Sequence, residues 1–151
     1  MKIEDIVKSA ELPPSKKIVL NIMYTQNVLA ETFNEILKEN DLSPEQFNVL
    51  RILRGQKGKP ANMFTIQERM IAKTSNTTRL VDKLLLKELV TRKVCPNNRR
   101  MIEVMITEKG LELLKKLDPG VEGYEKRFAA NLTPDELENL NNLLEKYRTI
   151  K

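Results

Sequence analysis

Histidine is absent from this chain of 151 residues, and cysteine occurs only once. Without histidine the chain has no Ser-His-Asp or Cys-His catalytic group and no histidine-ligated metal. A single cysteine excludes zinc fingers, CxxC redox pairs and intrachain disulfides, and the lack of disulfides favours a reducing cytoplasm. These absences predict a protein that is not an enzyme and that requires no metal and no cofactor.

Long apolar runs are missing as well. No run of about 18 apolar residues is present, so no membrane span is expected. The first residues, "MKIEDIVKSAELPPSKK", include acids and lack the apolar core of a signal peptide. The "GQKGKP" segment at 55–60 lacks the spacing and the hydroxyl of a phosphate-binding loop, and an ordinary loop is predicted there. With 40% hydrophobic and 31% charged residues, the composition indicates a soluble domain with a packed core.

Positive charge is concentrated in the middle of the chain. Residues 51–100 contain 13 Lys or Arg and 3 acids, so this segment carries +10 although the whole chain carries only +5. The remaining residues therefore carry −5. A basic segment between acidic ends is typical of a surface that binds nucleic acid, with an ordinary solvated surface as the alternative.

Apolar residues recur at three- and four-residue steps along much of the chain. The pattern predicts a long helix over residues 12–40 and a second helix over 44–55, with a proline at its first position. A short helix is predicted at about 63–70, with Asn62 as a candidate cap. After a break, an amphipathic helix is predicted at about 74–88, with apolar residues on one side and polar residues on the other.

The hydrophobic period then falls from about 3.6 residues to about 2. Apolar and polar residues alternate over 90–95 and again over 101–106, with "PNNRR" between the two runs. This pattern predicts a β-hairpin with a longer loop at its tip. Thr107 is a candidate cap for the next helix, which "DPGVEG" at 118–123 is expected to bend or break. A last helix is predicted to begin after Thr133 with a capping box.

The order of short helix, turn, basic amphipathic helix and hairpin predicts a winged helix-turn-helix. In such a domain the second helix enters the major groove, where Asn pairs with adenine, Arg or Lys pairs with guanine, and Thr contacts thymine methyls or phosphate. Cations at the hairpin tip suit the electronegative minor groove or the nearby backbone. The predicted DNA-binding residues are Ser75, Asn76, Thr77, Thr78, Arg79, Lys83, Lys93, Asn97, Asn98, Arg99 and Arg100.

The segment "TSNTTRLVDKLLLKELVTRKVCPNNRRMIEVMITEKG" at 74–110 resembles the recognition helix and wing of the MarR family of transcriptional regulators. The segments "LSPEQFNVLRIL" and "LTPDELENLNNLLEKY" are similar to the family's helix before the motif and to its closing helix. The positions that match the family's central pattern are Ser75, Thr78, Arg79, Leu80, Val81, Asp82, Leu84, Val90, Arg92, Arg100, Thr107 and Gly110.

The resemblance implies a mainly α-helical domain with a small β-hairpin wing over residues 1–151. It places dimerisation helices at about 12–40 and 108–151 and a winged-helix DNA-binding lobe at about 43–107. Members of the family resemble one another in binding double-stranded DNA as homodimers. The resemblance therefore implies a cytoplasmic, nucleoid-associated repressor that binds an inverted repeat as a homodimer. Many respond to a small-molecule effector, often an aromatic or phenolic compound. Candidate ligand-binding residues are Met23, Tyr24, Phe33 and Phe47, all of which would equally suit an apolar core.

Three residues depart from the family's pattern. Asn98 replaces the acid of the wing, which weakens the usual pairing of that acid with an arginine. Ile71 stands where the turn usually has glycine. Glu88 replaces the glycine that follows the recognition helix. Because a left-handed backbone is strained at a residue with a Cβ, we expect this helix to end in another way.

Two other classes of function compete with a site-specific DNA-binding regulator. One is a winged-helix module that binds protein and has lost the ability to recognise a DNA site, which the departures at Asn98 and Ile71 would allow. The other is an enzyme that uses Asp, Glu and Lys, but no predicted face pairs two carboxylates beside a nucleophile. The +10 charge of residues 51–100 favours the regulator over both.

Overall fold

The computed structural model describes residues 1–150, and the chain separates into two units, Met1–Pro44 and the chain from Glu45 onward. The first unit contains a short helix α1 (Ile3–Val7) and a long helix α2 (Pro14–Lys38). The predicted helix over 12–40 is therefore confirmed, with each end within two residues of its expected position.

Helix α1 was not predicted, because five residues are too few to show a helical period. The contact between Lys17 and Glu4 joins this helix to α2. Lys17 Nζ lies 2.8 Å from Glu4 Oε1. The hydrogen bond from Lys17 holds the pKa of Glu4 below its ordinary value.

The second unit has the element order of a winged helix. Its elements are α3 (Pro44–Gly55), β1 (Ala61–Asn62), α4 (Met63–Arg69), α5 (Thr77–Leu86), β2 (Val90–Cys95), β3 (Asn98–Ile106), α6 (Glu108–Ala129) and α7 (Pro134–Tyr147). The three strands form one antiparallel sheet in the order β1-β3-β2. The predicted class, mainly helical with a small β-hairpin wing, is confirmed. The β1 strand lies where only a loop was expected, since two residues carry no periodic signal.

One apolar core joins most elements of the second unit. Its most deeply buried side chains are Val49, Leu50, Leu53, Ile66, Met70, Val81, Leu84, Val104 and Leu114. They come from α3, α4, α5, β3, α6 and the residue that follows α4. Helix α7 differs from these elements, because none of its residues from Pro134 to Tyr147 is buried.

Side-chain caps explain where four of these helices begin. Asn62 accepts a hydrogen bond from the backbone N–H of Thr65 at 2.8 Å, as the sequence predicted for α4. Thr107 caps α6 through Gly110 N at 3.1 Å. Thr133 caps α7 through the predicted capping box. The fourth cap is Asn76, and it makes α5 begin at residue 77 rather than near residue 74.

A bend or a break was expected at 118–123, and the break is wrong, because helix α6 continues through Pro119. A proline removes one backbone donor and crowds one carbonyl, and neighbouring contacts can offset that cost. Here Asp118 accepts two hydrogen bonds from Arg54 Nη1 on α3, at 3.0 and 2.9 Å. Beyond the proline, the rings of Tyr124 and Phe128 meet edge to face at 5.3 Å. The helix is thus held on both sides of Pro119.

The expectation about Glu88 is also wrong. Glu88 adopts a left-handed backbone with φ of 59°, as the glycine of the family's pattern would. Leu89 N bonds Leu84 O and Glu88 N bonds Leu85 O, both at 3.0 Å, which together form a Schellman motif. Burial of Leu84 and Leu89 stabilises this end enough to offset a backbone cost of about 1 kcal/mol.

Gly110 and Gly123 both lie in α6, and their surroundings predict opposite effects of alanine. A Cβ at Gly110 would lie 2.5 Å from Leu89 O and 2.7 Å from Ile106 Cγ1, whereas a Cβ at Gly123 would meet no atom within 4 Å. Gly110→Ala should therefore lower the free energy of unfolding by about 2 kcal/mol through overpacking. Gly123→Ala should raise it by about 1 kcal/mol through helix propensity.

Urea denaturation of the three proteins at one protein concentration measures both effects. Gly123→Ala serves as the matched control, since it makes the same chemical change in the same helix. A Gly110→Ala protein as stable as the starting chain would contradict the close packing of α6 against Leu89.

Candidate nucleic-acid interface

Helix α5 has one buried side and one exposed side. Thr77, Val81 and Leu84 are buried. The exposed positions are Thr78, Arg79, Asp82, Lys83 and Leu86. These positions repeat as i, i+1, i+4, i+5 and i+8, which is one continuous face of a helix. The predicted DNA-binding residues Thr78, Arg79 and Lys83 therefore share a solvent-facing surface.

Thr77 is a correction to the predicted site. Its side chain is only 6% exposed, and its hydroxyl donates a hydrogen bond to Gln67 Oε1 on α4. Gln67 Nε2 also donates to the carbonyl of Lys73 in the turn, at 2.7 Å. Thr77 therefore packs α5 against α4, and because its hydroxyl is buried against Gln67, a base contact is not expected from it.

Asn76 and Ser75 lie just before α5. Asn76 is exposed, but its Oδ1 accepts the backbone N–H of Arg79 at 3.1 Å. A bidentate pair with adenine uses both the oxygen and the nitrogen of an asparagine side chain. Asn76 Oδ1 would have to accept a second hydrogen bond, or release its cap, to make that pair. Ser75 is half-buried at the entry to the helix.

Two buried polar side chains of α3 hold α5 from both ends. Asn48 Oδ1 accepts the backbone N–H of Ile71 at 3.0 Å, in the turn before α5. Gln46 Oε1 accepts a hydrogen bond from Lys87 Nζ at 3.1 Å, at the residue that caps the end of α5. Neither contact was predictable from the sequence, because a lone Gln or Asn in a helix resembles a surface residue. Their only signal was their place among apolar residues of α3.

Asp82 is the only acid within α5, and Arg92 on β2 neutralises it. Arg92 Nη1 lies 2.6 Å from Asp82 Oδ1, with side chains 39% and 52% exposed. An ion pair this exposed contributes about 0–1 kcal/mol to stability. Its larger effect is on charge and position, because it removes a free carboxylate from the exposed face and brings the base of the hairpin beside the helix.

The hairpin tip differs from the predicted longer loop. Only Pro96 and Asn97 connect β2 to β3. Cys95 pairs with Asn98, and the register then jumps so that Val94 pairs with Ile102. Residues 99–101 of β3 are therefore extra residues opposite the Val94–Cys95 step of β2, and they form an irregular bulge. Strand pairing extends closer to the tip than alternation alone could show.

The bulge presents the predicted wing cations. Arg99 and Arg100 are exposed, as are Asn97 and Asn98. Asn98 Oδ1 accepts the backbone N–H of Arg100 at 3.1 Å, so asparagine supplies a local turn contact at the position where the family has an acid. Lys93 is 64% exposed, 3.9 Å from Glu103 on the paired strand. We call Thr78, Arg79, Lys83, Lys93, Arg99 and Arg100 together the basic surface.

The candidate ligand-binding residues lie on two helices. Met23, Tyr24 and Phe33 are on α2, and Phe47 is on α3. Met23 is 60% exposed and Tyr24 is 42% exposed, so neither is a core residue, whereas Phe47 is buried. Tyr24 and Phe33 are about 13 Å apart along the helix axis. Helix α2 alone therefore does not bring all three into one small binding site.

Two kinds of feature are absent from the described residues. Among residues 1–150, no group of three or more Cys, Asp and Glu side chains is arranged to hold a metal ion. Within the same residues, no helix is long and apolar enough to span a bilayer.

Comparison with known proteins finds that this chain is similar to transcriptional regulators. The profile of the MarR family matches residues 42–102, from two residues before α3 into β3. The HTH-type transcriptional regulator MhqR of Bacillus subtilis (strain 168) is 27% identical over 132 residues, which cover 87% of this chain and 90% of that protein. The uncharacterized HTH-type transcriptional regulator YkoM of the same organism is 32% identical over 111 residues, covering 72% and 70%. These relatives are regulators and not enzymes, as the sequence predicted.

A solved structure agrees in fold. The Bordetella bronchiseptica protein BpsR, described for regulation of its DNA binding by 6-hydroxynicotinic acid, superposes with a TM-score of 0.80. The two chains are 19% identical, and the match covers 94% of this chain and 100% of BpsR. At this identity the likeness establishes the winged-helix fold.

The Asp82–Arg92 pair predicts a rescue experiment on duplex DNA. Arg92→Ala should weaken binding about tenfold, because Asp82 then repels phosphates as a free carboxylate. The double variant Arg92→Ala/Asp82→Asn should regain most of that affinity. Fluorescence anisotropy with one labelled duplex measures both, and thermal unfolding serves as the folding control. A double variant as weak as Arg92→Ala would instead mean that Arg92 itself contacts DNA.

Proposed function

We propose that this chain, which belongs to the MarR family of transcriptional regulators, recognises one double-stranded DNA sequence as a homodimer and represses transcription there. The basic surface supports this proposal most strongly. It joins an exposed helix face of Thr78, Arg79 and Lys83 to a hairpin that carries Arg99 and Arg100. The Asp82–Arg92 contact keeps the two parts adjacent.

The division of labour on this surface follows from the shape of DNA. The major groove is about 12 Å wide and accepts one helix, so α5 supplies base contacts through Arg79 and Lys83. A hairpin beside that helix reaches the adjacent backbone or minor groove, where arginine is favoured. Phosphate contacts supply most of the affinity and make it fall with salt. Base contacts supply the choice of sequence.

The exposed apolar residues of the terminal helices support a homodimer. Leu140, Leu143 and Tyr147 on α7 are between 44% and 54% exposed. On α2, Val19 and Met23 are 43% and 60% exposed. Apolar positions spaced along a helix that remain in solvent within one chain suit burial against a second copy. A twofold dimer presents two α5 helices to an inverted repeat with half-sites about one helical turn apart.

A small aromatic or phenolic effector belongs to the same proposal. BpsR, which shares the fold, is described as regulated by 6-hydroxynicotinic acid. In this chain Tyr24 offers exposed aromatic surface on α2. Such a ligand releases DNA only if it binds the DNA-competent arrangement less tightly than another arrangement.

Selection from a random duplex pool tests the DNA site, at about 0.15 M salt, where exposed charges are screened beyond about 8 Å. Enrichment of an inverted repeat is expected, with half-sites about 10 base pairs apart from centre to centre. The enriched duplex should bind at least about a thousandfold more tightly than a scrambled duplex of equal composition.

The full chain with Arg99→Gln and Arg100→Gln provides a control for the wing. Its affinity should fall on both duplexes, and its salt dependence should become shallower by about one unit for each phosphate that no longer meets an arginine. Binding that enriches no sequence and disappears as salt rises would contradict the proposal. A winged-helix module that binds protein would then be the better account.

A further inference from the structure

Leu86 is the most exposed apolar residue on the solvent-facing side of α5. Its side chain is 86% exposed, at the last position of the helix. It follows Asp82 by four residues and Lys83 by three, so it extends the stripe that begins at Thr78. The amphipathic pattern predicts a polar residue at this position, and at 86% exposure Leu86 is not part of the core.

Single exposed apolar residues are common on protein surfaces, and their location decides whether they need an explanation. Phe64 on α4 and Ile71 in the turn are 74% and 78% exposed. Both lie outside α5. Leu86 differs from them because it shares the one face that the proposed function directs into the major groove.

The end of α5 that carries Leu86 is held in place. Leu89 N and Glu88 N close the helix through bonds to Leu84 O and Leu85 O. The next residue after Leu86 is Lys87, whose Nζ donates to Gln46 Oε1 on α3 at 3.1 Å. A side chain on a helix end anchored this way keeps a defined position, so it can select a partner instead of sampling many.

We propose that Leu86 is a specificity-determining residue that contacts the C5-methyl group of a thymine in each half-site. The proposal rests on the proposed function, because it needs α5 in the major groove. The thymine methyl is the apolar group that the base edges display in that groove. Contact between the methyl and the leucine removes apolar surface of both from water.

The helix geometry predicts the position of this thymine relative to the base pair that Arg79 contacts. Arg79 and Leu86 are separated by about 10 Å along the helix axis, which matches about three base-pair steps when α5 lies along the groove. The thymine sensed by Leu86 should therefore lie about three base pairs from the base whose preference depends on Arg79. Both base pairs should be contacted in the major groove of the same half-site.

Replacement of thymine by deoxyuridine tests the contact, because it removes only the methyl group and keeps base pairing. Each thymine of the selected site is replaced in turn, symmetrically in both half-sites, and Kd is measured for the full chain. At one position the loss should be about fourfold per half-site, the value for one buried methyl. In Leu86→Ala that position should become insensitive, with thymine and deoxyuridine duplexes bound alike within about twofold.

Phe64→Ala and Ile71→Ala are matched controls, since each truncates a comparably exposed apolar side chain outside α5. Both should keep the sensitivity of the unsubstituted chain to deoxyuridine. A chain that tolerates deoxyuridine at every thymine of its site, or a Leu86→Ala variant with unchanged sensitivity, would overturn the assignment while leaving the proposed function intact. Failure to select any site would overturn both.

Discussion

Burial of one side of α5 is the interaction on which the rest of the account depends. Val81 and Leu84 have no exposed surface, and each such side chain contributes about 1.5–3 kcal/mol when it leaves water. Because a helix is rigid, fixing these two residues also fixes the direction of every residue on the other side. Thr78, Arg79 and Lys83 face solvent as a consequence. The helix part of the basic surface is thus a product of core packing and needs no contact among Thr78, Arg79 and Lys83.

Polar contacts add to the constraints that core packing places on α5. Hydrogen bonds are directional, so they add a constraint to a helix that apolar packing has already positioned. Asn48 accepts a backbone N–H in the turn before α5, and Gln46 accepts a hydrogen bond from the side chain of Lys87 after it, so α3 contacts the chain on both sides of α5. The Asp82–Arg92 pair sets the distance from α5 to the hairpin. A groove-reading helix needs this precision, because a displacement of about 1 Å breaks hydrogen bonds to bases.

Local patterns predicted the elements well, and tertiary contacts decided the exceptions. The caps at Asn62, Thr107 and Thr133 were predictable because a cap needs only residues close in sequence. The unbroken α6 at Pro119 and the left-handed Glu88 were not, since contacts from Arg54 and from buried Leu84 offset the local cost. In the site, the exposed Arg79 and Lys83 followed from periodicity. The burial of Thr77 did not, because it depends on Gln67 of another helix.

The central claim is that the exposed face of α5 selects the DNA sequence. Its most direct test compares two single variants, each of which loses one positive charge. Arg79 lies on that face, and Arg127 lies about 28 Å from the start of α6, at its far end. On the selected duplex, Arg79→Ala should raise Kd about tenfold and erase preference at one base pair, while Arg127→Ala should change Kd by less than about twofold. Equal losses, with base preferences unchanged in both variants, would contradict the account.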